Sequence, residues 1–368
     1  MRNITVGIVL IASCASVALC AACDEAALEG PGAEPSALVI TTDRETGAYS
    51  VIRLADRVAT GNINAIHSDA VCRFDPITGL PFVISRLGAD AIEVLDPSNG
   101  WGVSMEYSVG AGTNAQDIAV VSPDRAYVAR FADPALLIVH PTEGTEIGTV
   151  DLSAYADADG LPEATQLYQL DGEVFVLLQR IDETWTPTEY SSLLVLDGAT
   201  GAVDDHLQLT ATNPTGKLRF SQAVQRLVLL ESGAYGTLDG GIEYFDPVTR
   251  SLSGLVVTEQ TLGGDVVDAV IVSASKGYAV IGILEGDSAT TRLVSFDPGT
   301  GAKLDELIVS NGWDLSYLEL TPDGTELWVA DRTPEAPGIR IFDVDDDAET
   351  TSGPIDVGLP PSMVCFVE

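Results

Sequence analysis

Lysine is almost missing from this chain. Three lysines, Lys217, Lys276 and Lys303, stand among 18 basic residues against 55 acidic ones, for a formal net charge of −37. Phosphate backbones are held by basic surface, so nucleic acid is excluded as a partner. The acidic residues are spread rather than grouped, which gives solubility and self-repulsion in place of a dedicated acidic tail. Catalytic signatures are missing too. The chain has no G-x-S-x-G elbow, no H-E-x-x-H pair, no phosphate-binding loop and no dinucleotide fingerprint. Histidine is limited to His67, His140 and His206, and the four tryptophans, Trp101, Trp185, Trp313 and Trp328, do not recur in register. Cysteine is sparse as well, with only Cys72 and Cys365 beyond residue 23.

Turn residues, by contrast, recur. Short apolar runs stop at a polar or turn residue in Val94-Leu95-Asp96-Pro97, Ile138-Val139-His140-Pro141, Val195-Leu196-Asp197-Gly198, Tyr244-Phe245-Asp246-Pro247, Ser295-Phe296-Asp297-Pro298 and Ile341-Phe342-Asp343-Val344, with an earlier run at Val51–Ala55. Each reads as a strand ending in a tight turn. Recurrence at roughly forty to sixty residues predicts a circular array of small sheets, an all-β seven-bladed β-propeller.

One unit is laid out by Ile118–Val121, a turn at Ser122–Arg125, Ala126–Arg130, Leu136–Val139 and Gly148–Leu152, giving strands A to D of a blade. A second copy runs through Tyr317–Leu320, Leu327–Ala330, Ile339–Phe342 and Pro354–Val357. Residues 37–63 supply three strands, and Pro361–Val367 supplies a lone first strand. The closing blade is therefore expected to draw on both termini, which removes the open edge of a linear array. The pieces Ala126-Tyr127-Val128 and Leu327-Trp328-Val329 resemble the YVTN-type repeat of bacterial surface and periplasmic propellers, over roughly residues 37–368. That resemblance implies a cell-envelope location and a binding or scaffold role.

The N-terminus reads as a targeting segment. Met1-Arg2-Asn3 is a short basic start, Ile4–Leu19 is apolar, and Ala21-Ala22-Cys23 follows. A cysteine after two alanines resembles the bacterial lipobox, with Cys20 where leucine is usual; it implies cleavage after residue 22 and lipidation of Cys23. Residues 1–22 are then a signal peptide, 23–36 a flexible tether rich in Gly, Pro and Glu, and 37–368 the propeller. The expected state is a monomer outside the bacterial cytoplasm, on the periplasmic or surface side, touching membrane through its lipid alone. An even cysteine pair in an exported chain predicts a disulfide between Cys72 and Cys365, the fourth residues of two neighbouring inner strands.

Antiparallel geometry puts the A–B and C–D turns on one face and the longer B–C and D–A connections on the other. Long connections are expected at Arg180–Ser192, Glu231–Gly241 and Asp151–Glu163, and a ligand is expected on that face near the central channel. Symmetry about the A–B turns pairs Asp69 with Arg86, Asp117 with Arg130 and Glu163 with Arg180, a carboxylate facing an arginine in three successive blades. These are either intrablade ion pairs or a half-ring recruiting an anionic ligand, with His67 beside them. Trp185 on the same face suits stacking of a sugar or peptide. Asp157-Ala158-Asp159-Gly160 resembles the opening of a calcium loop without its third acid and with Glu163 too early for the bidentate position, so calcium is the one candidate cofactor, held by Asp157 and Asp159. The expected function is a non-enzymatic module for an envelope protein, peptide or saccharide. The rival is a lactonase-like propeller hydrolase using a metal at the channel mouth.

Overall fold

The computed structural model describes residues 34–286 and 288–368, and all statements below concern these. The signal segment, Cys23 and nearly all of the expected tether lie outside them.

The chain forms seven small antiparallel sheets set as blades of a propeller. Blade 1 begins with β1 (Ser36–Thr42), β2 (Gly47–Arg53) and β3 (Ala59–Ile66). Blade 2 holds β4 (Ala70–Asp75), β5 (Leu80–Ser85), β6 (Ala91–Asp96) and β7 (Gly102–Ser108). Blade 3 holds β8 (Ala115–Ser122), β9 (Arg125–Arg130), β10 (Ala135–Val139) and β11 (Glu146–Asp151). Blade 4 holds β12 (Ala164–Leu170), β13 (Glu173–Leu178), β14 (Ser192–Asp197) and β15 (Val203–Gln208). Blade 5 holds β16 (Pro214–Ser221), β17 (Arg226–Glu231), β18 (Gly241–Asp246) and β19 (Ser251–Thr258). A single helical turn, α1 (Glu259–Leu262), leads to blade 6 with β20 (Asp265–Ser273), β21 (Lys276–Glu285), β22 (Ser288–Asp297) and β23 (Ala302–Val309). Blade 7 has three strands, β24 (Leu315–Leu320), β25 (Glu326–Asp331) and β26 (Gly338–Asp343). The last strand, β27 (Pro361–Val367), returns to blade 1.

Ring closure follows the expected plan. β27 is the inner strand of blade 1 and pairs antiparallel with β1, Ser36 facing Val367 and Leu38 facing Cys365. The fourth strand expected for blade 7 at Pro354–Val357 is reduced to one bridge, Ile339 to Ile355. The propeller itself starts at Ser36, one residue inside the expected tether.

Burial explains why the blades stack. Each second strand is an apolar run buried on both faces, as in Val174–Leu178 of β13 and Leu227–Leu230 of β17. The fourth strands are the most exposed, β15 alternating half-buried and exposed residues, because one side meets solvent. Apolar clusters lie between neighbouring blades. Ile84 and Ile92 of blade 2 pack with Ile118 and Val128 of blade 3, and Tyr127 of blade 3 packs with Leu167 and Val176 of blade 4. Tyrosine hydroxyls add a polar latch across the gap. Tyr127 Oη donates to the carbonyl of Gly198 at 2.9 Å, and Tyr49 Oη to that of Trp101 at 2.5 Å. A buried phenol needs such a partner.

The turns carry their own chemistry. Asp96, Asp197, Asp246 and Asp297 each cap the C–D turn of their blade by accepting from backbone amides two or three residues on. The recurrent aspartate of the sequence is therefore a turn former. Of the expected long connections on the opposite face, Asp151–Glu163, Arg180–Ser191 and Ser232–Gly240 are present, whereas blade 6 departs from the plan. There β21 and β22 stay paired from Gly277–Phe296 out to Glu285–Ser288, leaving no long loop.

Candidate functional site at the channel mouth

The inner strands converge on the propeller axis, and their charged residues meet there. Arg73 of β4 donates through Nε to Asp117 Oδ1 of β8 at 3.0 Å and through Nη2 to the carbonyl of Leu167 on β12 at 2.9 Å. Asp117 Oδ2 accepts from the Leu167 amide at 2.9 Å. Three blades on, the same figure repeats. Arg219 of β16 binds Asp268 of β20 at 2.6 Å, donates to the Leu318 carbonyl of β24 at 2.6 Å, and Asp268 accepts from the Leu318 amide at 2.8 Å. An arginine on one inner strand and an aspartate on the next thus jointly grip the backbone of a third. Lys217 adds a bond to Glu319 at 3.0 Å, and Tyr317 Oη donates to the same carboxylate at 2.7 Å.

These groups are buried, and their protonation follows from their partners. Burial works against the Arg219 charge, but Asp268, Tyr317 and Glu319 outweigh it and raise its pKa. Burial likewise opposes the charge of Glu319, and Lys217 and Arg219 overcome it and lower its pKa. The channel interior is a charge-matched ionic plug, with a positive partner beside each of these carboxylates.

Above the plug, on the face of the B–C and D–A connections, the channel opens into a cavity of about 510 Å³. Its walls carry neutral hydrogen-bonding side chains, among them Asn114, Gln116, Gln166, Gln179 and Thr215. Asp69 lies there with Arg86, whose Nε donates to Asp69 Oδ1 at 2.8 Å while Nη1 donates to Gln116 Oε1 at 3.0 Å. One wall is aromatic. Phe131 and Trp185 stack with ring centres 5.8 Å apart and planes within 16°. Trp185 is 70% exposed and so presents a bare ring face to solvent. Tyr235 stands on the far side, edge-on to Trp313 at 6.4 Å, and the Trp313 ring lies where a Cβ on Gly282 would sit.

The expected carboxylate–arginine half-ring is present at one position of three. Asp69 and Arg86 pair as hairpin symmetry requires, because β4 and β5 run in unbroken register from Ala70–Ser85 to Asp75–Leu80. Asp117 and Arg130 do not pair. A register shift between Val120 and Ser122 sets Asp117 opposite Ala129, a second between Ala115 and Asp117 sets Ala115 opposite Arg130, and Asp117 is bonded instead by Arg73. Arg130 instead holds the next connection, bonding Asp133 at 2.9 Å and the Ala135 carbonyl at 3.1 Å. Glu163 and Arg180 do not pair either. Glu163 shares its backbone carbonyl with the Gln179 amide, one residue short of Arg180. Arg180 lies over the Tyr190 ring at 3.8 Å and donates to the Tyr190 carbonyl. His67 is turned away from the channel mouth and lines an outer groove with Glu93 and Glu106.

Asp157 and Asp159 are joined by Glu163, which the loop pattern had excluded. One carboxylate oxygen from each lies within 4.8 Å of the other two. Burial, then Asp159 and Asp157, push the Glu163 carboxyl up to about 8. The expected disulfide is absent: Cys72 and Cys365 are free thiols. They do lie together in the cluster between blades 1 and 2, where burial and then Cys365 raise the Cys72 thiol well above its usual range.

No family model and no curated protein matches this chain. Solved structures do match. A protein from Lactobacillus plantarum aligns with a TM-score of 0.64 at 12% identity, over 91% of this chain and 100% of that one. A 6-phosphogluconolactonase-like propeller from Bacteroides fragilis aligns with a TM-score of 0.61 at 12% identity, over 92% and 99%. A dihydro-heme d1 dehydrogenase aligns with a TM-score of 0.53 at 16% identity, over 90% and 75%. At such identities the likeness is one of fold. The chain is a seven-bladed β-propeller, and propellers serve binding and catalysis alike.

The sequence pattern missed the central plug. Its signal was present in Cys72-Arg73-Phe74, Lys217-Leu218-Arg219 and Leu318-Glu319-Leu320, where charge interrupts inner strands that are otherwise apolar.

Proposed function

We propose that this chain is an extracytoplasmic binding module, held to a bacterial membrane by a lipid on Cys23, that takes a neutral saccharide at the mouth of its channel without transforming it. The observation that carries the reading is the mouth itself: amide and hydroxyl side chains facing a stacked aromatic wall, over an ionic plug whose charges are already matched. Ligand sites combine apolar or aromatic surface with a few placed polar groups, and a bare indole face suits the apolar face of a sugar ring. Peptide is the second ligand class that the same walls would accept. The overall acidity argues against an anionic ligand, and the basic residues that line the cavity are already committed, Arg86 to Asp69 and Gln116, Arg73 to Asp117 and Lys217 to Glu319.

The hydrolase reading finds less support. A lactonase-like site needs a free carboxylate or histidine at the mouth. Asp117, Asp268 and Glu319 are each ion-paired, and His67 faces elsewhere.

A glycan array probed with the soluble propeller, residues 34–368, tests the reading. Neutral oligosaccharides should be retained by the parent protein and lost by Trp185→Ala, whose melting temperature should be unchanged because the ring is exposed. Retention that ignores Trp185, or an array on which only anionic glycans bind, would refute it.

A further inference from the structure

A hard-cation site lies beside the aromatic wall, in the connection between blades 3 and 4. The segment from Asp151 to Ala164 is longer than most links between blades, and it folds back so that Asp157, Asp159 and Glu163 converge. Asp157 Oδ1 accepts from the Asp159 amide at 3.1 Å, and Asp159 Oδ1 from the Leu161 amide at 2.8 Å. The loop thereby uses one oxygen of each aspartate for its own turns and leaves the other.

Glu163 supplies an independent observation. It is 2% exposed, yet its Oε2 has no hydrogen-bond donor among the described residues. Asp157 Oδ2 is a second buried oxygen without a donor. A buried carboxylate is normally paired or bonded, and one left bare costs several kcal/mol. Arg180 acts on Glu163 only through its charge: it makes no ion pair there, and its guanidinium lies over the Tyr190 ring and bonds the Tyr190 carbonyl. Three carboxylates drawn within 4.8 Å of one another, two of them with bare buried oxygens, form a cradle that lacks only its positive charge.

We infer that Asp157, Asp159 and Glu163 bind a calcium ion, and that the ion fixes the wall that carries Trp185. The donors are all oxygen, which selects hard cations over zinc or copper. The loop is irregular, and calcium accepts irregular coordination completed by backbone carbonyls and water, whereas magnesium demands a near-ideal octahedron. Asp159 is exposed, so the ion has a path in. The coupling to the wall is direct. Asp159, Glu163 and Trp185 line one cavity with Phe131, and the Glu163 carbonyl accepts from the Gln179 amide at the root of the Arg180–Ser191 connection.

With three protein carboxylates the affinity expected is that of extracellular calcium modules, about 10⁻⁴–10⁻³ M. The test is thermal unfolding of the purified propeller in calcium, with magnesium and with sodium chloride at matched ionic strength, since a chain of net charge −37 gains stability from any salt. At 10 mM calcium the midpoint should rise by about 2–4 °C beyond the sodium control. Glu163→Gln and Asp159→Asn should abolish the excess rise. Without calcium, Glu163→Gln should melt no lower than the parent, because burial and the neighbouring aspartates already disfavour the charged carboxyl there, so a failure to fold cannot be mistaken for lost binding. No calcium-specific rise in the parent, an equal rise in magnesium, or a rise that survives both substitutions would overturn the inference. This site is independent of the saccharide reading and stands or falls without it.

Discussion

Glu231→Gln should make the propeller more stable at neutral and alkaline pH. Glu231 ends β17 and Glu243 lies on β18, and both are fully buried. Glu243 is well supplied with donors, accepting from the Thr210 amide at 3.1 Å, the Thr210 hydroxyl at 2.5 Å and the Gly254 amide at 2.8 Å. Glu231 has one donor, the Ala211 amide, and its Oε1 has none. Burial, then the bond to Glu243 and its charge, push the Glu231 carboxyl from 4.5 up to about 9. The folded state therefore keeps a proton that the unfolded chain releases above pH 4.5. Stability from this group is complete below that pH and falls as pH rises toward about 9, at ~1.4 kcal/mol per unit. By pH 7.5 the accumulated loss is on the order of 2–4 kcal/mol, with the lower end allowing for relaxation of the pair. Glutamine bonds Glu243 without taking up a proton. Urea unfolding of parent and variant at pH 5, 6.5 and 8 should show curves that coincide at the lowest pH and diverge as pH rises, the variant being more stable. A difference that does not change with pH, or a variant less stable at pH 8, would refute the reasoning.

Two further outcomes follow from the channel and the N-terminus. Arg73→Met should cost about 3–5 kcal/mol by leaving the Asp117 charge buried and unpaired, and a double-mutant cycle in chemical denaturation should couple Arg73 to Asp117 while Arg130 and Asp117 stay additive within about 0.5 kcal/mol. Cys23→Ala in the full chain should leave an unprocessed or released protein on membrane fractionation, and normal processing with membrane retention would remove the lipid anchor from the account.

The fold was legible because its determinants are local and repeated. Aspartate ends the third strand of five blades, at Asp96, Asp197, Asp246, Asp297 and Asp343, and is followed by a turn, a pattern that needs no knowledge of the rest of the chain to be read. Ring closure was legible from the strand left over at Pro361–Val367. The site was legible only where register was unbroken. Hairpin symmetry placed Asp69 against Arg86 but failed at Asp117 and Glu163, because register shifts between Val120 and Ser122 and between Ala164 and Gln166 move the pairing by one residue. Nothing in the local sequence marks those shifts. The plug escaped for a different reason. Arg73, Asp117 and Leu167 belong to three blades, and their meeting depends on how tightly the ring closes rather than on any one repeat. Glu163 was set aside from the acidic loop by comparison with a helical calcium loop, whose spacing does not apply where the chain enters a strand. The two cysteines were placed in neighbouring inner strands, yet they pack as buried thiols.

The central claim is that the channel mouth binds without turnover, and one paired measurement decides it. Neutral oligosaccharides and sugar lactones would be titrated into the propeller while Trp185 fluorescence and acid release are followed together. The account predicts a saturable fluorescence change that Trp185→Ala abolishes, with acid release no faster than in buffer. Protein-dependent acid release that is lost on replacing His67 or Asp69, with no response of Trp185, would contradict it.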